Sequence, residues 1–148
     1  MLEAWLEFHR ATLLWKCGGL SDAQLKQRST PPSSLSLLGL VRHMTEVERG
    51  WFRRRIGGED APPLYYTEAG PDDDFDALDD TEVAAVFAAF RREVDLCRAV
   101  LAAHSLEEVV RNGTTSVRWI VTHMIEEYAR HNGHADLLRE AIDGAKGD

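Results

Sequence analysis

Apolar residues recur along this chain at helical spacing, and no segment sustains the alternation expected of a strand. From about Leu2 to Cys17, the positions Leu2, Trp5, Leu6, His9, Leu13 and Cys17 share one stripe. They predict a first helix with that face inward, stopped at Gly18-Gly19 by a left-handed cap. Ser21-Asp22-Ala23-Gln24 has capping-box spacing and predicts one further helical turn. Beyond Pro31-Pro32, a second long helix is expected from about Ser34 to Ile56. It carries Leu37, Leu40, Val41, Met44, Val47 and Trp51 on one face and ends at Gly57-Gly58. Residues 59–78 hold Pro62-Pro63, Tyr65-Tyr66 and Gly70-Pro71 with no period, so a long irregular connection is expected there. A third helix should begin near Asp79, where Asp79 and Glu82 have capping-box spacing. Val83, Phe87, Phe90, Val94, Cys97 and Leu101 form its inward stripe. Asn112-Gly113 predicts a turn, Ser116 an N-cap, and the last helix runs to about Asp143 before Gly144. Four amphipathic helices with one long crossover predict an all-α fold: an up-down four-helix bundle, one domain over residues 1–148.

Composition narrows the function. The 148 residues are 44% hydrophobic and 28% charged, an ordinary globular balance. With Lys+Arg 17 against Asp+Glu 25, the net charge of -8 opposes nucleic acid and anionic membrane surfaces, which both recruit Lys and Arg. No stretch approaches the ~20 apolar residues that span a bilayer. The N-terminus carries Glu3 and Glu7 where a signal peptide carries positive charge, so a cytoplasmic protein is expected. Cys17 and Cys97 lie at inward positions and read as free, buried thiols. The run Arg53-Arg54-Arg55 reads as a solvated last helical turn favoured by the helix dipole, and Trp5, Trp15, Trp51 and Trp119 as core or interface anchors.

Six histidines are present, three of them between Thr122 and His134. At ~100° per residue, Ile120, His123, Met124, Glu127, His131, His134 and Leu138 share one stripe. The stripe is apolar at both ends and should face the core. Its middle holds three imidazoles and a carboxylate, whose unpaired burial costs several kcal/mol each. Either a hydrogen-bonded network or a metal ion must satisfy them. Glu127 and His131 are spaced i, i+4 and suit one ion, with His123 and Glu127 as a competing pair. His43, at the border of the second helix's apolar face, is the best third donor. His43, Glu127 and His131 would make a two-histidine, one-carboxylate set with positions left open for water or substrate.

Two segments also resemble a known family. Ser36-Leu37-Leu38-Gly39-Leu40-Val41-Arg42-His43-Met44-Thr45-Glu46-Val47-Glu48-Arg49-Gly50-Trp51-Phe52 resembles the second helix of the DinB-like (YfiT-type) metalloenzyme superfamily. Arg118-Trp119-Ile120-Val121-Thr122-His123-Met124-Ile125-Glu126-Glu127-Tyr128-Ala129-Arg130-His131-Asn132-Gly133-His134 resembles its last helix. The likeness is closest to an actinobacterial branch of uncharacterised function. It implies a four-helix bundle holding a divalent ion, zinc or nickel, on His43, Glu127 and His131. Many relatives carry histidine where Glu127 stands, and the carboxylate matches mycothiol-dependent members. The expected activity is therefore metal-dependent transfer or isomerisation using mycothiol or a similar thiol. His134 and His123 would handle protons, and Tyr65 and Tyr66 of the long connection would close over a small-molecule substrate. The alternatives are a metal-dependent hydrolase and a non-catalytic metal or small-molecule binding module. A homodimer is expected only by analogy with such bundles.

Overall fold

In the computed structural model, which describes residues 1–111 and 113–147, the chain folds by capping and burying helices. The first, α1 (Leu2–Cys17), leads through Gly19 at φ +77 into α2 (Asp22–Lys26). Ser21 and Gln24 there form the expected reciprocal capping box. The next helix, α3 (Leu37–Glu48), starts two to three residues later than expected, because the buried Ser36 hydroxyl accepts the Gly39 N–H at 3.1 Å. The eight residues that follow it, Arg49–Ile56, wind as a π-helix, which the apolar spacing did not reveal.

Between residues 57 and 82 lies the irregular connection, interrupted by α4 (Asp73–Asp76). Helix α5 (Val83–Ala102) starts after Asp79, not at it. Glu82 is its cap, accepting from the N–H groups of Ala84 and Ala85, so the Asp79–Glu82 capping box does not form. Ser116 opens α6 (Val117–Asp143), and Gly144 ends it at φ +79. Gly113 takes φ +73 in the expected turn, whose other residue, Asn112, lies outside the described residues.

The fold is all-α; among the described residues the only β pairing is an isolated bridge between Val109 and Ser116. Helix α1 packs along α6, α3 along α5, and α3 also meets α6. Leu13, Leu40, Met44, Phe52, Ile120 and Met124 are wholly buried where these faces meet. The tryptophans are the main departure from the expected core. Trp5, Trp15 and Trp119 are 54%, 59% and 50% exposed, and Trp51 is half-buried. Trp5 was expected on the inward stripe of α1, while Arg10 and Lys16, outside that stripe, are the ones buried. Both are buried because each meets a carboxylate, Glu48 for Arg10 and Asp136 for Lys16.

The arginine run is also not the solvated turn expected. Arg53 bonds Glu59 and the buried Glu93, which Arg49 also holds at 2.8 Å, while Arg55 lies over the Trp51 ring. These contacts tie the π-helical turn to α5 and to the connection. Gly39 serves the same end. A side chain there would stand 3.2 Å from the Phe75 carbonyl, so glycine lets α4 lie directly on α3, one turn before His43.

Candidate active site

Helices α3 and α6 bring the sequence-predicted donors together. The rings of His43 and His131 stand 4.8 Å apart between centroids, and His131 Nε2 lies 3.6 Å from Glu127 Oε2. His123 approaches the other oxygen of Glu127, Oε1, at 3.5 Å, so the two pairings foreseen from spacing share one carboxylate. His134 Nδ1 is 3.4 Å from His131 Nδ1. His9 and His104 lie elsewhere, beside Asn132 and at the C-terminal turn of α5.

Each imidazole is held by its surroundings. Asp74, buried on α4, accepts a 2.8 Å hydrogen bond from His43 Nδ1. A carboxylate only accepts, so Nδ1 carries a proton, and in the neutral ring Nε2 is the nitrogen with the lone pair. Phe75 stacks on the same ring at 4.3 Å. Asp74 and Phe75 were missed in the sequence because nothing local links an aperiodic connection to a helix 31 residues earlier. His131 is driven by burial, then by the neighbouring His43, His134 and Arg130, down to a pKa of about 4. It is therefore neutral at physiological pH. His123 is stacked on Trp119 at 5.1 Å and meets the edge of Trp51 at 4.7 Å.

A cleft of about 570 Å³ opens beside this cluster. His43, Glu46, Trp51, Arg54, Tyr66 and Asp74 line it, so His43 belongs to both. Tyr66 thus borders the cleft as expected of a substrate-facing residue. Tyr65 does not line it; the Arg42 guanidinium covers its ring. The connection is fastened by Glu46, whose Oε1 accepts the N–H groups of Leu64 and Tyr65.

Among the described residues, no three His, Cys, Asp or Glu side chains are already arranged around a common ion position. The donor chemistry nevertheless fits one. Bonds of ~2.0–2.2 Å at tetrahedral angles put neighbouring donors about 3.4 Å apart, close to the separation of Glu127 and His131. The orienting carboxylate on His43 is the usual partner of a ligating imidazole.

The chain's own thiols take no part. Burial pushes Cys17 up to about 12, and Cys97 is raised further, first by burial and then by the nearby Glu48 and Glu93 carboxylates. Both stay protonated and poorly nucleophilic. A sulfur nucleophile used at this site has to come from a second molecule.

Among the described residues, no helix is long and apolar enough to cross a membrane. Comparison with known sequences agrees with the reading of the two helical motifs. No curated protein and no solved structure matches the chain. The family model for mycothiol-S-transferase does match it, over residues 1–144. Nearly the whole chain, with α3, α6 and the connection between them, is covered, and the protein belongs to the mycothiol-S-transferase family, a DinB-like family.

Proposed function

We propose that this protein is a metal-dependent transferase that joins mycothiol to a small electrophile. The observation that carries the reading is the convergence of His43 from α3 with Glu127 and His131 from α6, beside a cleft large enough for a small molecule. In this reading α1, α3 with its π turn, α5 and α6 form the up-down four-helix bundle of DinB-like proteins. Such bundles host ions between facing helices.

His43, Glu127 and His131 would hold the ion, zinc or nickel, with Asp74 fixing the protonated nitrogen of His43. When bound, the ion supplies a positive charge that favours the thiolate over the thiol. The chain's residues do the rest. His134, beside His131, takes the proton released when the S–H bond breaks. The sulfur then forms its bond to the electrophilic carbon, and the displaced group leaves with its electron pair, receiving a proton from the same imidazole. His123, wedged between Trp51 and Trp119, keeps Glu127 oriented and is the second proton carrier. Tyr66 borders the cleft where the electrophile enters, and Tyr65 holds Arg42 behind it.

A cytoplasmic setting suits two unpaired cysteines. A homodimer is part of the reading. The exposed aromatics Trp5, Phe8 and Trp15 on α1 offer an apolar face, and sedimentation tests the dimer directly.

The decisive experiment measures conjugation of mycothiol to monochlorobimane by the zinc-loaded protein, with H131A as control and circular dichroism to check its fold. Conjugation that disappears in folded H131A supports the proposal. Activity unchanged in H131A, or turnover of esters without any thiol, overturns it.

A further inference from the structure

The cleft beside His43 has a feature that the fold does not explain. Glu46 is 4% exposed and lies one helical turn beyond His43, facing the same cleft. One of its oxygens, Oε1, fastens the connection through two backbone N–H groups. A glutamine oxygen would do that equally well. The other, Oε2, is buried and has no hydrogen-bond partner. Its nearest cation is Arg54, with Nη2 at 3.9 Å, beyond hydrogen-bond reach. Arg54 Nε is also buried without an acceptor. An unsatisfied acceptor and an unsatisfied donor therefore sit on neighbouring side chains in one cleft. Leaving each unmet is unfavourable, more so for charged groups.

The chemistry of the missing partner follows from that pairing. A carboxylate or phosphate would satisfy Arg54 but be repelled by Glu46, and an ammonium would do the reverse. A hydroxyl donates to one and accepts from the other. Trp51 and Gly50 line the same cleft, and Gly50 adds no side chain to its wall. The π-helical winding of Arg49–Ile56 places all of these along one turn, and such distortions are frequent at functional sites.

We propose that this cleft is the subsite for a hydroxyl-bearing ring of the thiol co-substrate, with one ring hydroxyl held between the Glu46 carboxylate and the Arg54 guanidinium. The assignment rests on the transferase reading above, because mycothiol is a cysteine derivative carried on two hydroxyl-rich rings. The sulfur would then lie toward His43 and the polyol toward Arg54.

Two measurements test it. Calorimetric titration of the purified protein with glucosaminyl-inositol, the polyol without the thiol, should show binding. E46Q and R54A should each weaken it about tenfold or more, and inorganic phosphate should not compete. R54A leaves the loop anchor on Glu46 intact and so guards against a folding artefact in E46Q. In turnover, both variants should lower kcat/KM for mycothiol about tenfold more than for N-acetylcysteine, which lacks the rings. Absence of polyol binding by the unmodified protein, phosphate competition, or equal losses with both thiols overturns the subsite and leaves the transferase reading standing. If neither thiol is turned over, the transferase reading falls instead, and the polyol titration still decides the subsite.

Discussion

Replacing Arg10 by methionine tests how the two helices that carry His43 and Glu127 are kept in register. Glu48, at the end of α3, is wholly buried and accepts two hydrogen bonds from Arg10 on α1, each 2.7 Å long. The Tyr128 hydroxyl on α6 donates to the same carboxylate at 2.8 Å. Tyr128 adjoins Glu127, and Glu48 lies five residues beyond His43, so this cluster clamps α1, α3 and α6 beside the candidate site. Methionine keeps an unbranched apolar stem at this position but removes the guanidinium, which lies over the Phe52 ring. The Glu48 carboxylate then stays buried with one neutral donor, which should destabilise the protein by about 3–5 kcal/mol. For a domain of this size, that lowers Tm by roughly 6–20 °C. Y128F removes one donor and leaves the ion pair, so about 1–3 kcal/mol is expected. The double variant R10M/E48M should recover much of the loss, because apolar residues of similar volume can replace a buried pair. Urea denaturation of the unmodified protein, R10M, E48M and R10M/E48M supplies the cycle. Single variants that cost less than about 1 kcal/mol, or effects that simply add, would refute the clamp.

The remaining predictions concern other parts of the chain. D74N should weaken zinc binding about 10- to 100-fold in a chelator competition, since it removes the charged acceptor that orients His43; unaltered affinity would show that Asp74 only anchors the connection. Cys17 and Cys97 should react with iodoacetamide at pH 8 about a thousandfold more slowly in the folded protein than after denaturation, given thiols raised to about 12 and beyond. The Glu7 carboxyl is held below its ordinary value, first by its hydrogen bond from Arg98. The folded state therefore binds that proton less tightly than the unfolded chain, and the stability it contributes is present at neutral pH and fades as pH falls through about 4.5 and below. R98Q should flatten that part of the Tm-against-pH curve by a small amount, as expected of a partly exposed pair.

Much of the helical layout was legible because capping and periodicity are local. Ser21, Ser116 and Gly144 act where the sequence places them, and the stripe on α6 faces inward as its phase requires. The closeness of Glu127 and His131 was legible for the same reason, since residues four apart on one helix are neighbours in any fold. The misreadings have a common cause. Arg10 and Lys16 are buried on α1 while Trp5 is exposed because a distant carboxylate awaited each, and no spacing rule sees a partner more than thirty residues away. The π-helical turn was hidden for a related reason: Arg49 and Arg53 reach Glu93 on another helix.

The sequence by itself determined the all-helical architecture and most of the inward faces, and it pointed to His43, Glu127 and His131 as candidate donors. These depend on hydrogen bonds and contacts within a few residues. Only the tertiary structure decided that Asp74 orients His43, that Glu46 both anchors the connection and keeps a free oxygen, and that Arg54 stands beside it. Those pairings join segments whose proximity is set by packing, because burial of a charged or polar group is tolerated only where the fold brings its partner.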